Sequence, residues 1–120
     1  MERKVLIVTT IASMIKYFCM PLIDLLQKMG YEVQVACNFV DGNNISDDEI
    51  ADFKKELTEK NVVYYQIPFS RKITDPKNYQ CYKQLKGIVK QEKFSFIHCH
   101  TPIASLIARL VGRSTHTNVM

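Results

Sequence analysis

Two histidines stand at the end of an apolar run, in the segment from Ile97 to Pro102. His98 and His100 are two residues apart, so on a strand their side chains face one side and Cys99 faces the other. Imidazoles at a strand end can hydrogen-bond to sugar hydroxyls or take a proton. The alternative is that one of them, such as His98, is a partly buried residue that pins the loop to the backbone. Zinc needs about four ligands and only His116 remains, so we expect no metal site.

A second candidate segment follows the first apolar run of the chain. Thr9, Thr10 and Ser13 bring small polar side chains to the end of that run. Hydroxyls and free backbone N–H groups near the start of a helix can hold a phosphate or a sugar hydroxyl. The glycine pattern GxGxxG is absent, which argues against a dinucleotide site. The alternative is an ordinary loop between a strand and a helix.

The elements that must position these residues alternate between strand and helix. Strands are predicted at Lys4 to Thr9, Glu32 to Cys37, Val62 to Ile67 and Phe94 to Cys99, with a fifth at Thr117 to Met120 and a turn at Asp41 to Asn44. Apolar residues at helical spacing predict four helices between the strands. The apolar stripe of the first helix consists of Ile15, Phe18, Leu22, Leu25, Leu26 and Met29. That of the third consists of Tyr79, Tyr82, Leu85 and Val89, and that of the fourth of Ile103, Leu106, Ile107, Leu110 and Val111.

This alternation predicts an α/β domain, Rossmann-like and three-layered, with a mostly parallel sheet. The nearly continuous apolar run of the first strand is typical of a central strand that is buried on both faces. In such sheets ligands bind beyond the carboxyl ends of the strands. We therefore expect Thr10, Ser13, His98 and His100 to lie at one end of the sheet.

Caps and prolines set the helix boundaries. Ser46 and a glutamate three residues later have capping-box spacing. Asp75-Pro76 and Thr101-Pro102 each combine a cap with a first-turn proline. Pro21 either kinks the first helix or marks its first turn. Gly112 is predicted to end the fourth helix.

Length and composition limit the chain to one ordinary domain. It has 120 residues, of which 47% are hydrophobic and 23% are charged. The net charge of +4 permits contact with an anionic surface but does not by itself indicate a nucleic-acid partner. No signal peptide and no run of about 20 apolar residues is evident. We therefore expect a cytoplasmic protein whose four cysteines are reduced, partly buried hydrophobic residues.

Basic residues recur on the third predicted helix and in the loop before it. Lys83, Lys86, Lys90 and Lys93 step by three and four, which places them on one side of the helix. Such a stripe can rest on anionic lipid headgroups, although a solvated face is the commoner explanation. Arg71-Lys72 in the preceding loop could meet a phosphate.

Four stretches resemble one family in order and spacing. The most specific is IHCHTPIAS at residues 97 to 105, followed by LIARLVGR. The others are KVLIVTTIASMIKYF, LLQKMGYEVQVACNF and YYQIPFSRKITDPKNYQCYKQLKGIVK. Together they are similar to the amino-terminal domain of family-four glycosyltransferases that build bacterial capsular polysaccharides and exopolysaccharides.

The resemblance implies a GT-B fold, in which two Rossmann-like domains face each other across a cleft. It implies that this half holds a lipid-linked saccharide acceptor, while the other half holds most of the nucleotide-sugar donor. Thr10, Ser13, His98, His100 and Thr101 would bind substrate on the rim of the cleft. No cofactor is expected, the catalytic residues remain unknown, and peripheral contact with the inner face of the membrane fits such an acceptor.

The sequence departs from the family pattern in two places. Some relatives carry histidines where this chain has Met14 and Cys19. The family also continues into a further strand and a donor-binding domain that these 120 residues lack, so we expect an incomplete, truncated domain that is inactive alone. The alternatives are a non-catalytic Rossmann-like binding module or remnant, and part of a GT-B sugar-nucleotide epimerase.

Overall fold

The computed structural model describes residues 3–40, 45–70, 72 and 74–120. The predicted turn at Asp41 to Asn44 and Arg71 of the basic loop lie outside this part of the chain. The strands are β1 (Lys4–Ile11), β2 (Glu32–Asn38), β3 (Val63–Gln66), β4 (Phe96–Cys99) and β5 (Asn118–Val119). The helices are α1 (Ala12–Met14), a π-helix (Ile15–Cys19), α2 (Met20–Lys28), α3 (Asp47–Glu59), α4 (Lys77–Glu92) and α5 (Pro102–Thr115).

The five strands form one parallel sheet in the order β3-β2-β1-β4-β5. The prediction of a central first strand is confirmed, since β1 pairs with β2 on one side and with β4 on the other. Every residue of β1 after Lys4 is buried, because helices cover both of its faces. The predicted α/β, Rossmann-like fold is therefore confirmed.

Each face of the sheet has its own core. On one face, Ile7 and Val35 pack with Ile23 of α2 and Phe53 of α3. The other face is covered by α4 and α5, whose buried residues include Leu85 and Val111. The layers are therefore helix, sheet and helix. No helix of the described residues is both long and apolar enough to cross a membrane.

The first helix begins earlier than Pro21 and absorbs that proline without a break. Pro21 has no N–H to donate, and its ring would press on the carbonyl of Tyr17 in a regular α-helix. The π-helix at Ile15–Cys19 lies immediately before it and contains Tyr17. A π-turn widens the backbone and adds one residue to the turn, so the helix continues as α2.

The added residue rotates the helix surface, and the predicted apolar stripe is wrong in part. Phe18, Leu25 and Met29 are 69%, 54% and 55% exposed. Ile15 and Leu26 are buried as predicted, and the core also takes Ile23, which the stripe leaves out. The stripes of the other helices also need correction. Tyr79 of α4 and Leu106 and Leu110 of α5 were expected inside, but they are 63%, 44% and 48% exposed.

Gly112 does not end the last helix. α5 continues to Thr115, and His116 then adopts the left-handed conformation with φ 57°. Gly112 is required for a different reason, which is the close approach of the returning chain. A Cβ atom at this position would lie 2.7 Å from the carbonyl oxygen of Thr117 and 2.4 Å from the side chain of Val119. The glycine thus allows β5 to lie against α5.

The Ser46 cap is present and Asp75 bonds to α4 from the position before the N-cap residue, but Thr101 makes no side-chain cap bond to α5. The Ser46 hydroxyl accepts a hydrogen bond from the Glu49 backbone N–H at 3.2 Å. Asp75 Oδ1 accepts one from the Lys77 N–H at 2.9 Å, ahead of α4. That bond, assisted by the Ser70 side chain, lowers the pKa of the Asp75 carboxyl. Both contacts satisfy amide groups that have no partner within the first turn of a helix.

The cysteines are free, as predicted, and three of them are buried. Burial raises the pKa of Cys19 and of Cys81 to about 11, so these thiols stay protonated at neutral pH. They serve as small apolar core residues.

Candidate functional site

A bulge at the end of β1 changes the direction of Thr10. Val8 pairs with Ala36 and Ile11 pairs with Asn38, so three steps along β1 match two steps along β2. The alternative of an ordinary loop between strand and helix does not hold here, because the strand runs through Ile11 and α1 follows directly. A bulge releases backbone groups from the ladder and re-aims side chains. Here the freed Thr10 N–H donates to the Thr101 hydroxyl at 3.1 Å.

The hydroxyl groups of Thr10 and Thr101 connect the carboxyl ends of β1 and β4. Their oxygens are 2.6 Å apart, and the Thr101 hydroxyl also donates to the His100 carbonyl oxygen. With that donation made, Thr101 accepts from both the N–H and the O–H of Thr10. A hydroxyl has one hydrogen and two lone pairs, so Thr101 is fully used. In this structure the Thr101 side chain therefore holds the carboxyl ends of the two strands together.

The backbone of Thr101 is held in a rare conformation. Its φ and ψ are 75° and 145°, a region that side chains with a Cβ seldom enter. The residue precedes Pro102 at the start of α5, and its carbonyl accepts from the Ser105 N–H. Strain of this kind persists only where surrounding contacts enforce it. The hydrogen bonds between Thr101 and Thr10 are contacts that enforce this conformation.

His98 and His100 form a pair on one side of β4, as their spacing predicts. Their Nε2 atoms are 2.7 Å apart, and the rings meet edge to face. Cys99 points to the other side, where its thiol donates to the Met120 carbonyl. The alternative, in which the His98 side chain bonds to the backbone, does not hold for its Nε2 atom, because that atom bonds to the His100 ring. One ring donates and the other accepts, so the neutral pair holds one proton between the two Nε2 atoms.

Burial, and after it the neighbouring His100 ring, holds the pKa of His98 below its ordinary value of 6.5. In the unfolded chain His98 regains the ordinary pKa, so at mildly acidic pH the unfolded state binds a proton that the folded state does not. The stability that depends on neutral His98 is therefore complete above about pH 6.5 and falls as the pH drops toward the folded pKa.

We expect the urea midpoint of the wild-type chain to fall between about pH 7.5 and about pH 5.5, and to fall less in His98→Asn. Glu92 and Asp75 have lowered pKa values. The stability that these carboxylates contribute is therefore lost at a more acidic pH, outside the range compared here. An equal fall in both proteins would show that His98 does not carry the dependence.

The predicted site residues gather at one edge of the sheet. Thr10 is the last residue but one of β1, and Ser13 lies in the first turn of α1. His98 lies in β4, and His100 and Thr101 directly follow that strand. The strand order changes direction at β1, because β2 lies on one side and β4 on the other. Thr10 and Thr101 therefore flank the position where an open parallel sheet provides a crevice for ligands.

A pocket opens at this position. Its wall is formed by Thr10, Ile11, Met14, Thr101, Pro102 and Ile103. Sequence reasoning did not identify Met14 or Ile103 as wall residues, because their apolar side chains carry no chemical signal. Ser13, next to Met14 in α1, is a buried residue that is only 5% exposed. Among the described residues, no group of three or more His, Cys, Asp or Glu side chains could hold a metal ion.

The arrangement is that of a Rossmann-like α/β domain with polar side chains gathered at the carboxyl ends of β1 and β4. Residues 4–119 match the glycosyl transferase 4-like family. The chain belongs to this family.

Comparisons with individual proteins agree with this assignment. The chain is 30% identical over 113 residues to EpsD of Bacillus subtilis (strain 168), whose name assigns it to the glycosyltransferases; the match covers 94% of this chain and 26% of EpsD. Its fold matches MurG of Acinetobacter baumannii with a TM-score of 0.70 at 18% identity, covering 98% of this chain and 32% of MurG. It also matches a glycosyltransferase from Rickettsia africae with a TM-score of 0.69 at 11% identity, covering 99% of this chain and 29% of that one.

The chain thus spans about a quarter of EpsD and about a third of MurG. The fold is not confined to glycosyltransferases. The carboxyl-terminal domain of the PF1911 hydrogenase from Pyrococcus furiosus matches all of this chain with a TM-score of 0.67 at 13% identity. Assignment to the glycosyltransferases therefore depends on the family match, and the structural likenesses show the Rossmann-like fold alone.

Proposed function

We propose that this chain is the acceptor-side part of a GT-B glycosyltransferase that transfers a sugar from a nucleotide-sugar donor to a lipid-linked saccharide in cell-surface polysaccharide synthesis. The observation that carries the proposal is the meeting of Thr10, His100 and Thr101 where the strand order reverses. The family supports sugar transfer in general, and the name of EpsD supports no finer choice of substrate.

The histidine pair suits a saccharide. When one Nε2 donates to the other, one ring keeps a bare Nδ1 acceptor and the other ring keeps an Nδ1–H donor. A sugar hydroxyl donates one hydrogen bond and accepts others, so neighbouring hydroxyls match this combination. His98 and His100 would bind the acceptor in this way, while Thr10 and Thr101 hold the rim in place. Ser13 stays in the proposed site as a part of the adjoining wall.

The mostly apolar pocket next to Thr10 would accept the less polar face of a sugar ring or of its carrier. Transfer needs a donor held against the acceptor and charge stabilisation at the departing diphosphate. We propose that most donor contacts come from a second domain outside these 120 residues, and that the chain alone binds acceptor without turnover. We propose that the protein is cytoplasmic and meets this lipid-linked acceptor at the inner face of the membrane.

The test uses the purified chain, a detergent-solubilised membrane lipid extract and a panel of UDP-sugars. We expect lipid-linked saccharides to copurify with the chain, as detected by mass spectrometry, and no labelled sugar to be transferred. His100→Asn should reduce this capture about tenfold, the effect of one lost hydrogen bond of ordinary strength.

His116→Asn is the matched control. His116 follows the carboxyl end of α5, about 20 Å of helix away from Thr101, and asparagine tolerates its left-handed backbone. Capture should be unchanged in this variant. Equal capture by wild type and His100→Asn would contradict the site, and transfer by the chain alone would contradict the proposed division between two domains.

A further inference from the structure

The outer edge of the sheet at β3 is open. β3 is last in the strand order, so strands of the described chain pair with its β2 side alone. The Ile67 N–H donates to the Cys37 carbonyl of β2, and backbone groups alternate in direction along a strand. Tyr65 therefore also points its N–H and C=O groups toward β2, while those of Tyr64 and Gln66 point outward, away from the sheet.

The residues of this edge are of the kind that accepts another strand. Proteins usually block an open edge with a charged residue, a proline, a bulge or a very short strand. β3 has neither a charge nor a proline in Val63–Gln66, and its register with β2 has no shift. The sequence carries no charged residue between Asn61 and Ser70. The opposite edge differs, because β5 has only two residues, Asn118–Val119.

A groove of about 420 Å³ accompanies this edge, between β3 and α4. On the α4 side it is lined by Gln84, Gly87 and Gln91, and its described wall contains one charged side chain, Lys83. Gly87 leaves space, since a Cβ atom there would have no neighbour within 4 Å. An amide carries both donors and an acceptor, so a glutamine can bond to the same glutamine of another molecule. The groove therefore suits an identical surface.

We infer that β3 pairs antiparallel with β3 of a second copy of this chain, about a two-fold axis at Tyr65. In this register Tyr64 lies opposite Gln66 of the second copy, and each of the two equivalent pairs exchanges two hydrogen bonds. The outward N–H and C=O groups of both residues are then satisfied. The two Tyr65 side chains become a cross-strand aromatic pair, which stabilises the ladder. Pro68, which lacks an N–H, ends the pairing soon after β3.

The contact is symmetric and small. Both copies use the same edge, so the assembly closes as a dimer and does not extend into a fibre. β3 has only four residues, and interfaces below about 1,200 Å² belong to weak, reversible complexes. We therefore expect a dimer that dissociates on dilution. The candidate site stays open in it, since Thr10 and Thr101 lie at β1 and β4, on the other side of β2 from this edge.

Sedimentation equilibrium of the full chain, without any ligand, measures the association. We expect the mass to rise from that of one chain toward that of two between about 1 µM and about 500 µM, the range of a weak complex. Val63 is 46% exposed, and Val63→Lys should weaken the dimer at least tenfold, because a lysine at an edge opposes pairing. Val63→Thr keeps an uncharged, β-branched side chain and should associate as the wild type does. Asn118→Lys, on the opposite edge, should also leave association unchanged.

Hydrogen exchange followed by NMR tests the register without any substitution. The Tyr64 and Gln66 N–H groups should exchange at least threefold faster at about 20 µM chain than at about 500 µM, since only the monomer exposes them. The Val119 N–H is the matched reference. It also points outward, because the neighbouring Met120 N–H donates to Ile97 of β4, and its exchange should not depend on concentration.

A chain that stays monomeric at about 500 µM would overturn the inference. A dimer that Val63→Lys leaves intact, or that Asn118→Lys weakens equally, would also overturn it, because the contact would then lie elsewhere. If Val63→Lys failed to fold, the exchange rates of Tyr64 and Gln66 in the wild type would still decide, and rates independent of concentration would contradict the pairing. These experiments contain no saccharide, so their outcome is independent of the proposed acceptor site.

Discussion

Replacing Gly112 with alanine should lower the free energy of unfolding by about 2 kcal/mol, within the usual range for forcing an extra methyl group into a packed site. The new Cβ atom would lie 2.7 Å from the Thr117 carbonyl oxygen, a backbone atom that cannot rotate away. Thr117 is also held by the hydrogen bond from its N–H to the Gly112 carbonyl. Relief therefore requires β5 to move off β4, which would expose the edge of β4. Urea unfolding monitored by circular dichroism measures the change.

Gly87→Ala is the matched control, because Gly87 also lies inside a helix. A Cβ atom at Gly87 would have no neighbour within 4 Å. Alanine there should stabilise α4 by about 0.5–1 kcal/mol, since glycine has more conformational freedom to lose on folding. If Gly112→Ala instead stabilised the protein as Gly87→Ala does, the close packing of β5 on α5 would be wrong.

The sheet could be predicted from the sequence because its signals are local. The apolar run after Lys4 marks a strand buried on both faces, and each later strand is bounded by polar or turn residues. Parallel pairing then follows from the alternation with helices. Buried polar residues in the strands could not be predicted in this way. Gln34 of β2 is only 1% exposed, and its burial is possible because its side chain hydrogen-bonds with three partners, Tyr65, Glu32 and Glu92. These partners come together only in the folded protein.

Helix faces were harder to predict than helix positions. A regular period of 3.6 residues assigns Phe18 and Leu22 to the core, but with one π-turn before Pro21 the next residues, Cys19 and Ile23, are the fully buried ones. On α4 and α5 the error is different. Tyr79 and Leu110 share the helical period of the core residues, and periodicity alone does not tell a core face from an exposed apolar groove.

The candidate site shows the same division between local and long-range signals. That His98 and His100 point to the same side of the sheet follows from their spacing of two residues on a strand. The joining of Thr10 to Thr101 could not be predicted, because it depends on a bulge that lengthens β1 and on contact between residues 91 positions apart. Sequence reasoning placed both threonines on the rim and interpreted their hydroxyls as ligands. The structure shows the Thr101 hydroxyl engaged within the protein, which favours a positioning role.

That positioning role leads to the second large effect. Thr101→Ala should be destabilised by about 2 kcal/mol, because the Thr10 N–H and hydroxyl lose their partner in a partly buried position. Alanine also keeps a Cβ atom at φ 75°. Thr101→Gly loses the same hydroxyl but enters this backbone region freely, so it should be more stable than Thr101→Ala by about 1–2 kcal/mol.

Saccharide capture should separate stability from function in these variants. We expect both to lose most of the capture seen in the wild type, because the rim at Thr10 is no longer fixed, although only the alanine variant is markedly unstable. Asn61 provides the control, since it is exposed and also has a positive φ, 61°. Asn61→Gly should likewise be more stable than Asn61→Ala, with capture unchanged in both. If Thr101→Gly were no more stable than Thr101→Ala, the strained backbone at the start of α5 would be ruled out. If its capture equalled that of the wild type, the contact between Thr10 and Thr101 would have no part in positioning the site.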